Sequence, residues 1–218
     1  MPPPLRKLPR TGPAPAAADP ASANVQRILD HALHSFATRG YAATGLRTIA
    51  ADARLTAPMV NYYFKTKEAL YQRVAAKVVD GLVGEVSAAC PDGGTLAQVL
   101  VANLLGHLGF AAAHPEATRF LFGVLYGPDE GRPALDLTGY AAVEARIRQR
   151  LDRAIRSGEL VLRAGVTRAD AYELYHGLVM SLVMHDLKAP AFGKPRTEPR
   201  VASRRLAILL AGLGVLDD

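Results

Sequence analysis

Three threonines within 23 residues, Thr44, Thr56 and Thr66, each stand at the head of a separate apolar helical pattern. A threonine there can accept a hydrogen bond from an unpaired N–H of the first turn, so each is a helix start. Thr44 heads "GLRTIAADA", in which Leu46, Ile49, Ala50 and Ala53 share one face. Thr56 heads a second short segment that runs through Phe64, and Thr66 opens a long helix from Lys67 towards Ala89, with Leu70, Val74, Val78 and Leu82 at regular intervals. Two short helices therefore sit about three residues apart. A supporting helix over about residues 24 to 39 precedes them: Val25, Ile28, Leu29, Ala32, Leu33 and Phe36 recur at helical spacing, Asn24 can cap the start, and Gly40 stops it. A helix followed by two short helices joined by a tight turn is the arrangement that lays its last helix in a DNA major groove.

The rest of the chain carries the same period. Half of the 218 residues are hydrophobic, 21% are charged and Trp is absent, so a sizeable core and an all-α fold are expected. Residues 1–23, "MPPPLRKLPRTGPAPAAADPASA", are rich in Pro and Ala without apolar periodicity, and are expected to form a disordered arm. Helices are expected over about 95 to 113, 115 to 126, 134 to 157, 167 to 185 and 198 to 213, with loops at "CPDGG", "GPDEGRP" and "KAPAFGKPRTEP". Thr167 and Asp170 have the spacing of a capping box. The net charge of +6 is uneven: +2 on residues 1–23, +3 on 24–70 and +1 on all that follows. Excess positive charge beside a groove-reading motif suits a polyanion.

The second short helix spends three of only 14 aromatic residues side by side, in "TAPMVNYYFKTKEAL". At about 100° per residue, Val60 and Phe64 point to one side, while Pro58, Met59, Asn61 and Tyr62 point to the other. Val60 and Phe64 therefore belong to the core, with Ala57 and Tyr63 flanking it. An Asn61 amide can pair with adenine, Met59 and Pro58 can touch a thymine methyl, and the Tyr62 hydroxyl can donate to a phosphate. Lys67, in the first turn of the next helix, is placed to meet a phosphate, as are Thr44 and Arg47 at the preceding helix start.

Residues 24–71 resemble the N-terminal domain of the TetR family of transcriptional regulators, through "ILDHALHSFATRGY", the Thr44 start, "IAADA", the Thr56 start, "NYYF" and "KTKEALY". The resemblance implies a helix-turn-helix DNA-binding domain over residues 24–70, with the motif itself at about 45–64, and a larger C-terminal domain over 71–218 for regulation and dimerisation. It implies double-stranded DNA as partner, a homodimer, a small-molecule inducer of unknown identity, and a repressor acting on a palindrome. Carried over by position, it supports Arg47, Ala57, Pro58, Met59, Asn61, Tyr62, Tyr63 and Lys67 as DNA-facing, and Thr56, at the head of their helix, is a DNA-binding candidate with them. Two positions depart from the family pattern: Arg54 stands where Gly is usual in the turn, and Asn61 where Tyr is usual. An Arg at a left-handed turn position would be held there at a cost.

For the inducer pocket that the resemblance implies, the candidates are the polar and aromatic residues of apolar C-terminal segments: His107, Phe110, Arg119 and Phe122, with Tyr126, Tyr172, His176 and Met180. A metal or cofactor is not expected, since His176 and His185 lie nine residues apart, on opposite sides of one helix. The single Cys90 cannot form an intrachain disulfide, no apolar run is expected to approach a membrane span, and the cytoplasm is the expected compartment. The motifs of nucleophilic, metal-dependent and phosphate-binding catalysts are missing, so an enzyme is not expected. The competing reading is a helical adaptor that uses Tyr62 and its neighbours to bind protein.

Overall fold

The computed structural model describes residues 20–127 and 131–216. The basic residues of the expected arm, Arg6, Lys7 and Arg10, and part of the "GPDEGRP" loop lie outside the described residues. Nine α-helices follow in chain order among them: α1 Pro20–Ala43, α2 Leu46–Asp52, α3 Ala57–Phe64, α4 Lys67–Ala89, α5 Leu96–Ala113, α6 Pro115–Tyr126, α7 Thr138–Ser157, α8 Arg168–Lys188 and α9 Pro199–Leu213. The chain is all-α, as its periodicity predicts.

Most starts fall where capping chemistry puts them. Thr56 and Thr66 accept from the backbone N–H groups of Met59 and Ala69, and Thr95 and Thr167 form capping boxes with Gln98 and Asp170. Helix α1 begins at Pro20, four residues before the expected Asn24, which lies inside it and accepts from Arg27. Its regular part ends at Gly40, whose left-handed φ of 76° breaks the helix where a glycine stop is expected.

Two apolar clusters hold the helices together. The first runs without a break from α1, α2 and α3 through α4 into α6, and includes Ile28, Phe36, Val60, Phe64, Leu70, Tyr71 and Phe120. The second joins α5, α7, α8 and α9 around Leu100, Leu104, Leu151, Leu182 and Leu206. Helix α4 thus belongs to the helix-turn-helix unit at its start and to the larger helical body further on.

Helix α5 corrects one expectation. It has 18 residues without a charged side chain and is, by length and composition, apolar enough to cross a membrane, although Gln98, Asn103 and His107 interrupt the run. It is the central helix of the larger body, with 56% of it buried against α4, α6, α7, α8 and α9. Its start is tied to the end of α7 by Glu159, which accepts from the Leu96 N–H and lies 2.7 Å from Arg150.

A small antiparallel ribbon was not expected. Strand β1, Leu160–Leu162, pairs with β2, Gly214–Leu216, in the register Leu160 to Leu216 and Leu162 to Gly214. A Cβ on Gly214 would collide with the Val161 carbonyl, so the close approach of the strands requires glycine there.

Candidate nucleic-acid interface and interior cleft

Helices α2 and α3 are fixed to their own domain by their inner faces and leave their outer faces open. Ile49, Ala50, Val60 and Phe64 are buried, whereas Arg47, Pro58 and Asn61 are exposed and Tyr62 is 81% exposed. Met59 is half-buried beside them. Ala57 and Tyr63 are half-buried and pack on the first cluster, so both flank the core, and the Tyr63 ring meets that of Tyr62 edge-on at 5.3 Å. Tyr62 thus stands open on the outer face of a helix whose inner face is buried.

The structure moves Thr44 out of this surface. It is only 2% exposed, the N-cap of α2 is Gly45, and the Thr44 hydroxyl turns inward to donate to the Gly40 and Ser35 carbonyls, at 2.7 and 3.2 Å. Carbonyls left open where α1 breaks at Gly40 compete for the hydroxyl and win, so it cannot cap α2 or reach a phosphate. Lys67 is half-buried, donates to the Tyr41 carbonyl at 2.9 Å and lies 4.2 Å over the Tyr41 ring. Its ammonium therefore ties the start of α4 to the end of α1, with N–H donors left over for a second acceptor.

Arg54 adopts the left-handed conformation, with φ at 53°. Such a conformation costs an L-residue about 1–2 kcal/mol, and glycine's larger unfolded-state entropy returns about 0.5–1 kcal/mol of that. Arg54→Gly is accordingly expected to raise unfolding stability by up to about 1 kcal/mol in urea titration. A loss of stability instead would mean that the guanidinium makes contacts that offset the strain.

The larger body holds two narrow, adjoining clefts among α4, α5, α6, α7 and α8, with cavities of about 20 and 30 Å³; His107, Tyr140 and Met180 line both. One is walled by Leu82, Phe110, Leu121 and Phe122; the other adds Asn103, Glu144, Tyr172 and His176. Of the eight residues expected here, His107, Phe110, Phe122, Tyr172, His176 and Met180 line the clefts. Tyr126 is largely exposed, with its hydroxyl 3.4 Å from His176 Nε2. Arg119 is a correction: it is exposed on α6 and lines a separate cleft towards α1, with Phe36, Tyr41 and Tyr71, because α1 packs on that side of α6. Glu144 was missed. On α7 it stands among so many charged residues that the sequence reads as a solvated face.

The electrostatics of the clefts follow from burial. Desolvation lowers the pKa of His107, although the Asn103 carbonyl 2.9 Å from Nδ1 opposes the shift, as does Glu144, while His176 adds to it. Burial likewise pushes the Tyr172 hydroxyl up to about 12, with Glu144 adding and Arg148 subtracting. A histidine kept neutral in the fold but free to protonate when unfolded makes stability fall as pH drops below about 6.5, by at most about 1.4 kcal/mol per pH unit. Urea titrations at pH 7.5 and 5.5 are expected to show a smaller loss in His107→Gln than in the unaltered chain; equal losses would show that His107 protonates without penalty.

A helix-turn-helix with a buried inner and a polar outer face, joined to a larger helical body, is the arrangement of a DNA-binding transcriptional regulator. Residues 28–74 match the bacterial regulatory proteins of the tetR family. None of the curated proteins matches it. Its fold is that of a TetR-family regulator from Chloroflexus aurantiacus J-10-FL, at TM-score 0.71 and 17% identity over 88% of this chain and 94% of that one. It is also that of the ketosteroid transcriptional regulator KstR2 of Mycobacterium tuberculosis, at TM-score 0.65 and 17% identity over 88% and 95%. FadR of Bacillus subtilis, solved in complex with stearoyl-CoA, matches at TM-score 0.65 and 17% identity over 86% and 98%.

Proposed function

We propose that this regulator is a homodimeric, ligand-responsive repressor that works in the cytoplasm, reading a palindromic operator with residues 24–70 and sensing an effector with residues 71–218. The observation that carries the ligand response is the position of α6. Leu121 and Phe122 wall the apolar cleft on one side, while Phe120 stacks edge-on against Tyr71 at 5.2 Å and Glu116 lies 2.7 Å from His34 of α1. A molecule that parts the cleft displaces α6 against α1 and α4, and so changes the setting of α3. The shift it can drive is bounded by its difference in affinity for the two settings. The stearoyl-CoA bound in FadR supports a helical body of this kind holding a long apolar ligand.

Dimerisation rests on α8 and α9, where Leu174 is 51% and Ile208 66% exposed. Pairing these helices with those of a second copy makes a four-helix interface and sets two α3 helices about one DNA turn, roughly 34 Å, apart. On this reading Arg47, Pro58, Met59, Asn61 and Tyr62 face the DNA, and Thr56 places α3. Selection of DNA fragments by the purified protein tests the whole reading: recovery of a palindrome supports it, and elution from DNA at low salt without any enriched sequence refutes it.

Lys67→Ala is expected to weaken binding to every DNA sequence and to lower the slope of log affinity against log salt by about one. Fluorescence anisotropy across a salt series measures both. An unchanged slope would leave Lys67 with its Tyr41 contacts alone.

A further inference from the structure

We infer that the effector of the paired clefts is an apolar molecule with an amine head, read by Glu144; the inference rests on the ligand-responsive reading above and specifies its ligand. An apolar body would enter by widening the first cleft against Leu82, Phe110 and Phe122, the parting of α6 proposed above. The second offers the head one formal charge. Among the described residues that line either cleft, Glu144 is the only acid, and neither Lys nor Arg is present. Burial lowers the pKa of His107 and so disfavours a positive charge there.

Glu144 is also available. It faces the Tyr140 and Tyr172 hydroxyls, its ion-pair partner His176 stands at a long 3.4 Å, and its side chain is 30% exposed, so a carboxylate with four lone-pair sites keeps room for a further donor. Tyr172 Oη is buried without a well-formed hydrogen bond, a condition that a native fold tolerates rarely. An ammonium donates three N–H bonds and could satisfy Glu144 and this phenol oxygen together. The ring of Tyr172 already attracts one cation, since the Arg148 guanidinium lies 3.4 Å from its centroid, and the Tyr140 ring lines the same cleft. A carboxylate or phosphate head would instead meet Glu144 with no Lys or Arg lining the cleft and His176 already beside Glu144, a burial of like charges that lowers affinity.

The test uses three probes with one tail: decylamine, 1-decanol and decanoate, each below its micellar concentration, titrated by calorimetry into the full-length protein and into Glu144→Gln. Decylamine is expected to bind at least about tenfold more tightly than decanoate, and that preference is expected to shrink to below about threefold in Glu144→Gln. Decanoate binding as tightly as decylamine, or no binding by any probe, overturns the inference. The comparison of heads in the unaltered protein stands even if the variant fails to fold. Anisotropy of a selected DNA fragment separates the two levels: decylamine that binds through Glu144 without releasing DNA leaves the head assignment intact and refutes the ligand-responsive reading.

Discussion

Phe36→Ala is expected to destabilise the protein by about 3–5 kcal/mol, the range for removing a buried aromatic ring. Phe36 is 4% exposed, meets Tyr71 edge-on at 4.9 Å and stacks with Tyr41 at 6.1 Å. Tyr71 in turn touches Phe120, so the ring stands where the DNA-reading helices join α6. The surrounding side chains belong to three helices, α1, α4 and α6, and cannot all close on the space at once. Urea titration with an unchanged slope and a lowered midpoint is the expected signature. A loss below about 1 kcal/mol would show that the site collapses easily and that the ring does not set the junction.

Asn61→Ala is expected to lower affinity for a selected operator by about 5- to 150-fold, corresponding to the loss of about 1–3 kcal/mol from one base contact. Unfolding stability is expected to change by less than about 0.5 kcal/mol, because Asn61 is exposed and its side chain holds nothing in the fold. Affinity for unrelated DNA, and the salt slope, are expected to stay as they are. An equal loss on all sequences would place Asn61 among the phosphate contacts, where Lys67 is expected.

Helix existence and most boundaries were legible because they depend on neighbours in sequence: Thr56, Thr66, Thr95 and Thr167 cap helices through bonds spanning three residues. The inward and outward sides of α3 were legible for the same reason, from Val60 and Phe64 against Asn61 and Tyr62. Thr44 was not, because its hydroxyl has a choice between capping α2 and closing α1, and only the packing of the Gly40 break decides between them. The side of α6 taken by α1 put Arg119 outside the clefts, and no local pattern encodes that choice. Glu144 and the ribbon of Leu160–Leu162 with Gly214–Leu216 depend on partners far along the chain: an acid on a charged helix and a three-residue strand carry no periodic signal of their own.

With no Trp in the chain, its near-ultraviolet signal comes from tyrosine, and the eight tyrosines divide by location. Tyr62 and Tyr63 sit on α3, Tyr41 and Tyr71 lie at the α1–α4–α6 junction, and Tyr126, Tyr140, Tyr172 and Tyr175 surround or underlie the clefts. On the proposed ligand-responsive reading, each stage between effector and DNA therefore contains its own native chromophore. Ring-labelled tyrosine followed by nuclear magnetic resonance would resolve which stage moves first, without adding a probe to the protein.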